Sequence, residues 1–364
     1  MCRFRAGRTR GSGSISWVMV TSADVARAAG TSRAVVSYVV NGGPRNVAEA
    51  TRRRVLEAMD QLGYRPNPHA RALRSASSSV IGVIVSDISN AYCAEMVLAI
   101  EDAAIARRHT LLIGNAMRDD RREAEHVATF VSQNVHGIVF IGSAEPLSPD
   151  SHSSTRSSGS GGTSVVRFDR PVLADGETGV LVDNLSGGAA AVDHLLAHGY
   201  AECALLAGPT THYGVADRVR GWENALRKYG LDPMEQQIRT SDFERYQAFE
   251  VALPLLRDHR PRALFACSDE QALGAVSAAG HLGLKVPDDL AIVSFDGIRE
   301  ARLTTPRLTT VDQPFPEAAE LALRSIVEPP RPSAGASNVV LPVTLQVGDS
   351  CGRHGSAGEP LRVG

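Results

Sequence analysis

Apolar positions in residues 21–41 fall at helical spacing in two short blocks. Val25, Ala28 and Ala29 give a first helix one apolar face, and Val36, Val39 and Val40 give a second helix a buried stripe. Thr21 with Asp24 three residues on fits a capping box, Gly30 suits the left-handed residue that ends a helix, and Ser32 can cap the next one. The predicted unit is helix, tight turn, helix, with Arg33, Ala34, Ser37 and Tyr38 pointing outward from the second helix. Such a helix would meet base edges and phosphates in a DNA major groove. The same spacing also fits an ordinary helical hairpin.

From residue 79 the pattern changes. Strand candidates at 80–85, 110–114, 137–141, 164–168, 203–207, 263–267 and 290–295 alternate with amphipathic helices at 92–108, 120–133, 187–198, 215–229, 245–258 and 269–282. That alternation predicts parallel sheets covered on both faces. Ligands of open α/β sheets lie beyond the carboxyl ends of the strands. Tyr92 follows the first strand, Asp169 ends the strand at 165–168, and Asp296 ends the strand at 290–295. Taken singly, each Asp fits a helix cap or loop contact nearly as well. Between the two regions, Asn67-Pro68 is a helix-start signal, but the helix over 69–74 is too short to stand alone in water. A plain linker helix and a hinge that orders on DNA are both open from the residues.

Charge sharpens the division. Residues 1–75 hold thirteen Arg, no Lys and four acids, a net of +9, against −11 for the rest. A basic first segment on an acidic body is the footprint of a DNA reader with a separate second task. The five cysteines (Cys2, Cys93, Cys203, Cys267, Cys351) show no metal spacing and read as free thiols in a reducing cytosol. No apolar run reaches membrane-spanning length, and the Arg-, Gly- and Ser-rich start is no secretory signal.

The block Thr21–Asn41, followed by Val47-Ala-Glu-Ala-Thr-Arg-Arg-Arg-Val-Leu and Tyr64-Arg-Pro-Asn-Pro-His-Ala-Arg-Ala-Leu-Arg, closely resembles the DNA-binding headpiece of the LacI/GalR (lactose-repressor-type) family. The likeness continues through Ile81-Gly-Val-Ile-Val-Ser-Asp-Ile-Ser-Asn, Ser268-Asp-Glu-Gln-Ala-Leu-Gly-Ala, Val286-Pro-Asp-Asp-Leu-Ala-Ile-Val-Ser-Phe-Asp-Gly and Leu308-Thr-Thr-Val-Asp-Gln-Pro, spanning roughly residues 20–350. The resemblance implies an α/β chain with an N-terminal helix-turn-helix headpiece. It also implies a two-subdomain, periplasmic-binding-protein-like effector domain of doubly wound parallel sheets. The expected organisation is 1–18 as a disordered extension or mis-annotated start with translation beginning at Met19. The DNA-binding domain is 19–65, the hinge 66–78, the effector and dimerisation domain 79–350, and the tail 351–364. Within 79–350, one subdomain takes 79–181 with 313–330 and the other 182–312 with 331–350.

The implied function is a cytoplasmic, dimeric transcriptional repressor on a pseudopalindromic operator, controlled by a small effector such as a sugar and needing no cofactor. The implied DNA contacts are Thr21, Ser32, Arg33, Ala34, Ser37, Tyr38 and Asn41. At the hinge they are Asn67, Ala70 and Leu73, the last placed as a minor-groove wedge. The implied effector contacts are Tyr92, Asp169, Ser268, Asp296 and Arg218, which stands three residues before Gly221 in the family's Arg-x-x-Gly pattern.

Departures are local. Ser268 stands where Asn is common, Cys93 replaces an aromatic, Gly348 an Arg, and Tyr38 a frequent Arg. Ser148–Ser164 replaces an amphipathic helix by a Ser/Gly run that reads as disorder or, with two lysines against 36 arginines, as a pair of compensating frameshifts. His194 and His198 are i, i+4 on one helix but have no third ligand in the sequence pattern, so no metal is expected. No nucleophile elbow or phosphate loop supports an enzyme. A solute-binding receptor of the same fold that has lost DNA binding is the remaining alternative, and it would carry a secretory signal.

Overall fold

In the headpiece, Thr21 and Asp24 cap each other. Thr21 N donates to Asp24 Oδ2 at 3.0 Å, and Asp24 N donates to Thr21 Oγ1 at 3.4 Å. This opens α1 (Ser22–Ala28), which closes at Gly30 with φ +61° and a bond from Thr31 N to Ala26 O. Ser32 Oγ accepts from Val35 N and starts α2 (Arg33–Asn41), and α3 (Glu49–Leu62) ends at Gly63 in the left-handed conformation. Val25, Ala26, Ala29, Val36, Val39, Val55 and Ala58 form the three-helix core.

The structure is a computed structural model, and it describes residues 20–41, 46–64, 79–142, 163–172, 175–210, 212–328, 336–352 and 361–362. The expectations for 1–18, for Asn67, Ala70 and Leu73, for most of Ser148–Ser164 and for the Asn41 side chain lie outside the described residues. Met1–Ser77 and Ser78–Gly364 are separate compact units.

In the second unit strands and helices alternate. In chain order they are β1 (Val80–Val85), α4 (Ala91–Ala106), β2 (Thr110–Asn115), α5 (Asp120–Ser132), β3 (Gly137–Ile141), β4 (Ser164–Phe168), β5 (Glu177–Val182) and α6 (Asn184–Ala197). There follow β6 (Ala204–Ala207), α7 (Tyr213–Lys228), β7 (Ile238–Thr240), α8 (Arg245–Asp258), β8 (Ala263–Ala266), α9 (Asp269–His281) and β9 (Ala291–Asp296). Last come β10 (Thr309–Asp312), α10 (Phe315–Val327), β11 (Ser337–Leu341), β12 (Thr344–Gln346) and β13 (Leu361–Arg362).

Two sheets result, in the orders β11-β5-β4-β3-β1-β2 and β13-β12-β10-β9-β8-β6-β7. The first is wholly parallel. The second is parallel except for β12 and β13. Each sheet is apolar on both sides, and the two-residue period sorts its side chains. From β3, Val139 and Ile141 pack with α4 and α10, while Ile138 and Phe140 pack with α5. From β8, Ala263 and Phe265 pack with α6 and α7, while Leu264 and Ala266 pack with α8 and α9.

The chain crosses between sheets after β5, after β10 and after β11. The expected division assigned 331–350 to the second subdomain, but β11 pairs in parallel with β5, Ser337 opposite Thr178 through Leu341 opposite Val182. The chain therefore crosses at 342–343. Ser337–Leu341 is a half-buried edge strand, too short and mixed to stand out from a loop.

The backbones of α6 and α7 approach closely, and glycines allow it. A Cβ on Gly221 would stand 2.6 Å from Ala189 N, and one on Gly188 would stand 2.6 Å from Arg218 O. Backbone meets backbone there, so neither side can give way. Gly221→Ala is expected to lower stability by about 1–3 kcal/mol despite alanine's better helix propensity, read as a lower thermal midpoint. An unchanged or raised midpoint would show that the helices can separate freely.

Candidate ligand cavity and the exposed face of α2

A cavity of about 250 Å³ lies where the carboxyl ends of both sheets face each other. Its lining follows from strand termini. Ser86 and Asp87 leave β1, Gly142 leaves β3, Asp169 leaves β4, Asn184 follows β5, Asp296 ends β9 and Gln313 follows β10. Tyr92 and Cys93 come from the first turn of α4, and Tyr213 to Val215 with Arg218 from α7.

Arg218 is the most constrained member, only 7% exposed. Its Nε donates to Asn184 Oδ1 at 2.8 Å, and its Nη1 donates to the Cys267 carbonyl and to Asp296 Oδ1 at 3.3 Å. The guanidinium lies 3.7 Å from the centroid of the Phe295 ring, a stacked cation–π arrangement. Gln313 Nε2 donates to the same Asp296 oxygen at 2.8 Å. Opposite, Tyr92 Oη donates to both Asp169 carboxylate oxygens at 2.7–2.8 Å. Asp169 has φ +64° and Asp296 φ +115°. Such backbone, uncommon without glycine, is held only where the surroundings fix it, and it aims both carboxyls off their strand ends.

Burial dominates the electrostatics. It pushes Asp296 up from the ordinary carboxyl value to about 7, with Arg218 pulling the other way and the Asp269 charge adding to the rise. Asp169 is raised by the same desolvation, against its bond from Tyr92, and the Tyr92 phenol is raised well above its usual range by burial and the Asp169 charge. Burial lifts the Cys93 thiol to about 11, so it is no nucleophile.

Contacts also run across the mouth. Asn90 Nδ2 donates to the Phe243 carbonyl at 2.9 Å, and Arg118 lies 3.5 Å from Asp87 and 3.6 Å from Asp242. These tie the first sheet's loops to the loop after β7.

Tyr92, Asp169, Arg218 and Asp296 are thus brought into one cavity. Ser268 is not among its lining residues. Its buried hydroxyl caps α9 by accepting from Gln271 N at 3.1 Å. The rest of its motif is equally structural. Asp269 accepts from Ser294 Oγ, Thr310 Oγ1 and Ile298 N, and Gln271 Nε2 donates to the Ala207 and Ser241 carbonyls. Sequence reasoning missed Asn184, His212, Asp242, Phe243 and Gln313. Asn184, Asp242, Phe243 and Gln313 follow β5, β7 and β10, which were not expected as strands, so nothing flagged them; His212 follows the expected β6 but stands five residues beyond its end, at the N-cap of α7. On α2, Ser32, Arg33 and Ala34 are exposed and Ser37 and Tyr38 half-exposed, as is the face opposite Val36 and Val39; Thr21 is also exposed.

A three-helix headpiece joined to a two-sheet binding fold with a polar cavity defines the class of ligand-responsive DNA-binding proteins. The model of the lacI family of bacterial regulatory proteins matches residues 21–67, and that of the periplasmic binding protein-like domain matches 192–351. Catabolite control protein A of Priestia megaterium is 33% identical over 314 residues, covering 85% of this chain and 92% of its own. The HTH-type transcriptional repressor PurR of Klebsiella pneumoniae is 31% identical over 311 residues, covering 85% and 90%. The lac repressor bound to ONPG in its repressed state superposes with a TM-score of 0.78 at 26% identity, covering 92% of this chain and all of that one. The chain belongs to the LacI family of bacterial regulatory proteins. Among the described residues no helix is long and apolar enough to cross a membrane.

The raised Asp296 carboxyl has a defined pH signature. A carboxyl whose folded pKa lies above its unfolded value destabilises the fold when ionised; this penalty is full above the folded pKa, shrinks as pH falls below it, and is gone only below the unfolded pKa. The thermal midpoint of ligand-free Asp296→Asn, measured relative to wild type, is therefore expected to be higher at pH 8 than at pH 5. A difference that is flat across that range would show that pairing with Arg218 outweighs burial.

Proposed function

We propose that this protein is a cytoplasmic, homodimeric repressor of transcription that reads a pseudopalindromic operator and is controlled by a small polyhydroxylated effector, a sugar or similar molecule. The observation that carries the effector assignment is the convergence of Asp169, Asp296, Arg218 and Tyr92 in one cavity at the strand ends of both sheets. Paired carboxylates and a fixed guanidinium can each take two hydroxyls in charge-assisted bonds, and Tyr92 and Phe243 offer ring faces to the apolar side of a sugar. Arg118 and Asn90, whose contacts span the mouth, would report whether the cavity is filled. The effector alters operator affinity only by its differential affinity for two states of the protein. No catalytic set is proposed.

On DNA, the exposed turn of α2 would enter the major groove. Arg33 would pair with a guanine edge, while Ala34 can offer only an apolar contact such as to a thymine methyl. Tyr38 would shape an adjacent position. The test is selection of sites from a random duplex library at physiological salt, with and without candidate polyols. Enrichment of a pseudopalindrome is expected. Arg33→Ala should relax the preference at one base pair per half-site, at a cost of about 1–3 kcal/mol. An unchanged preference in that variant would remove Arg33 from base reading, and sequence-independent binding throughout would sink the proposal.

A further inference from the structure

At the end of α6 opposite the cavity, His194 lies in the last turn and His198 at the C-cap. The sequence pattern offers them no third ligand, but the fold supplies one. Cys351, distant in sequence, places its Sγ 3.2 Å from His194 Nε2. The two imidazoles meet edge to face with centroids 4.9 Å apart, and one donor atom from each of the three residues lies within 4.8 Å of the others.

The cysteine is held in place independently of the histidines. Ile292 N donates to the Ser350 carbonyl at 2.8 Å, Thr309 N donates to Ser350 Oγ at 2.8 Å, and Ser350 Oγ donates to the Ile292 carbonyl at 2.6 Å. Thr309 Oγ1 lies 2.8 Å from Cys351 Sγ. Segment 350–351 is thus stitched to β9 and β10, and its sulfur is presented to the end of α6. A helix C-terminus favours positive charge, and i, i+4 histidines share one face.

From this juxtaposition we propose that His194, His198 and Cys351 form a binding site for a divalent transition metal of the zinc type. Two imidazoles and a thiolate are borderline-soft donors that suit zinc and disfavour magnesium or calcium. Zinc–nitrogen bonds near 2.0–2.1 Å and a zinc–sulfur bond near 2.3 Å at tetrahedral angles put donor atoms about 3.4–3.6 Å apart. His194 and Cys351 are already close to that spacing, and the exposed His198 closes by turning its ring inward. On binding, two Zn–N bonds and one Zn–S bond form, and the thiol proton passes to solvent. The fourth position, on the side of His198, takes water. The metal staples the segment after β12 to α6, the helix whose other end holds Asn184 against Arg218.

The test uses the untagged full chain, stripped of metal, under a reductant that does not bind metal. Titration with Co²⁺ is expected to saturate at one equivalent, with the intense visible bands of a tetrahedral site and a thiolate charge-transfer band. Zn²⁺ should abolish both spectra and raise the thermal midpoint. Cys351→Ser should lose the charge-transfer band. His198→Gln changes an exposed side chain, so its metal-free midpoint should shift little, its ring contact with His194 being the main thing lost, while its affinity falls at least about tenfold. No saturable binding by the wild type would overturn the proposal. So would wild-type affinity in His198→Gln, which decides the matter even if Cys351→Ser folds poorly. A charge-transfer band that persists in folded Cys351→Ser would place the metal on another thiol and overturn it equally.

Discussion

A guanidinium cannot be buried without partners, and the cavity is organised around meeting that demand. Arg218 is fixed by a side-chain amide, a main-chain carbonyl, a carboxylate and a ring face. Removing a charge from water is repaid only when geometry is good and every donor is placed. Asn184, Cys267 and the adjacent pair Phe295 and Asp296 come from three separate places in the second subdomain, so satisfying one side chain sets the relative positions of α6, β8 and β9. The two close-packed glycines bring α7 near enough to α6 for Arg218 to reach Asn184. The Arg-x-x-Gly spacing is thus two halves of one device, a helix approach and the charge it delivers.

The headpiece was legible in the sequence because its signals are local. A capping box, a left-handed glycine and a seven-residue core all act within about forty residues, and Val25, Ala29, Val36 and Val39 are buried as their spacing predicts, although Ala26 takes the core place expected for the exposed Ala28. Most long strands and helices of the second unit were legible for the same reason, since an apolar run of five or six residues between amphipathic helices has few other readings, but the inner strand Glu177–Val182 and the helix Phe315–Val327 were missed. The short edges were not. Ile238–Thr240 and Ser337–Leu341 carry mixed, half-exposed residues, and they become strands only because a neighbouring strand offers unpaired backbone.

The candidate site shows the same division. Tyr92, Asp169 and Asp296 could be found from strand ends alone, and Arg218 from the family pattern. Ser268 could not be placed correctly, because a residue after a strand can face the cavity or cap the next helix, and only the direction of the chain decides. Here Asp269 is drawn inward by Ser294, Thr310 and the Ile298 amide, which turns Ser268 to its capping role. Cys351 is the extreme case, since its proximity to His194 depends on a chain separation of 157 residues that no spacing rule addresses.

The three crossings between the sheets have a mechanical consequence. On one side, β5 and β11 leave as a bonded pair, with Asp183 N donating to the Leu341 carbonyl at 3.0 Å. On the other, β10 and β12 are paired, with Asp312 opposite Thr344. Three tethers anchored in this way resist sliding and lengthwise displacement, because either would break ladder bonds at the strand ends from which they leave the sheets. Flexure and twist about the tethers disturb only the few residues between the sheets and the contacts across the cavity mouth. The joint has the compliance of a ribbon hinge: stiff in translation, soft in rotation.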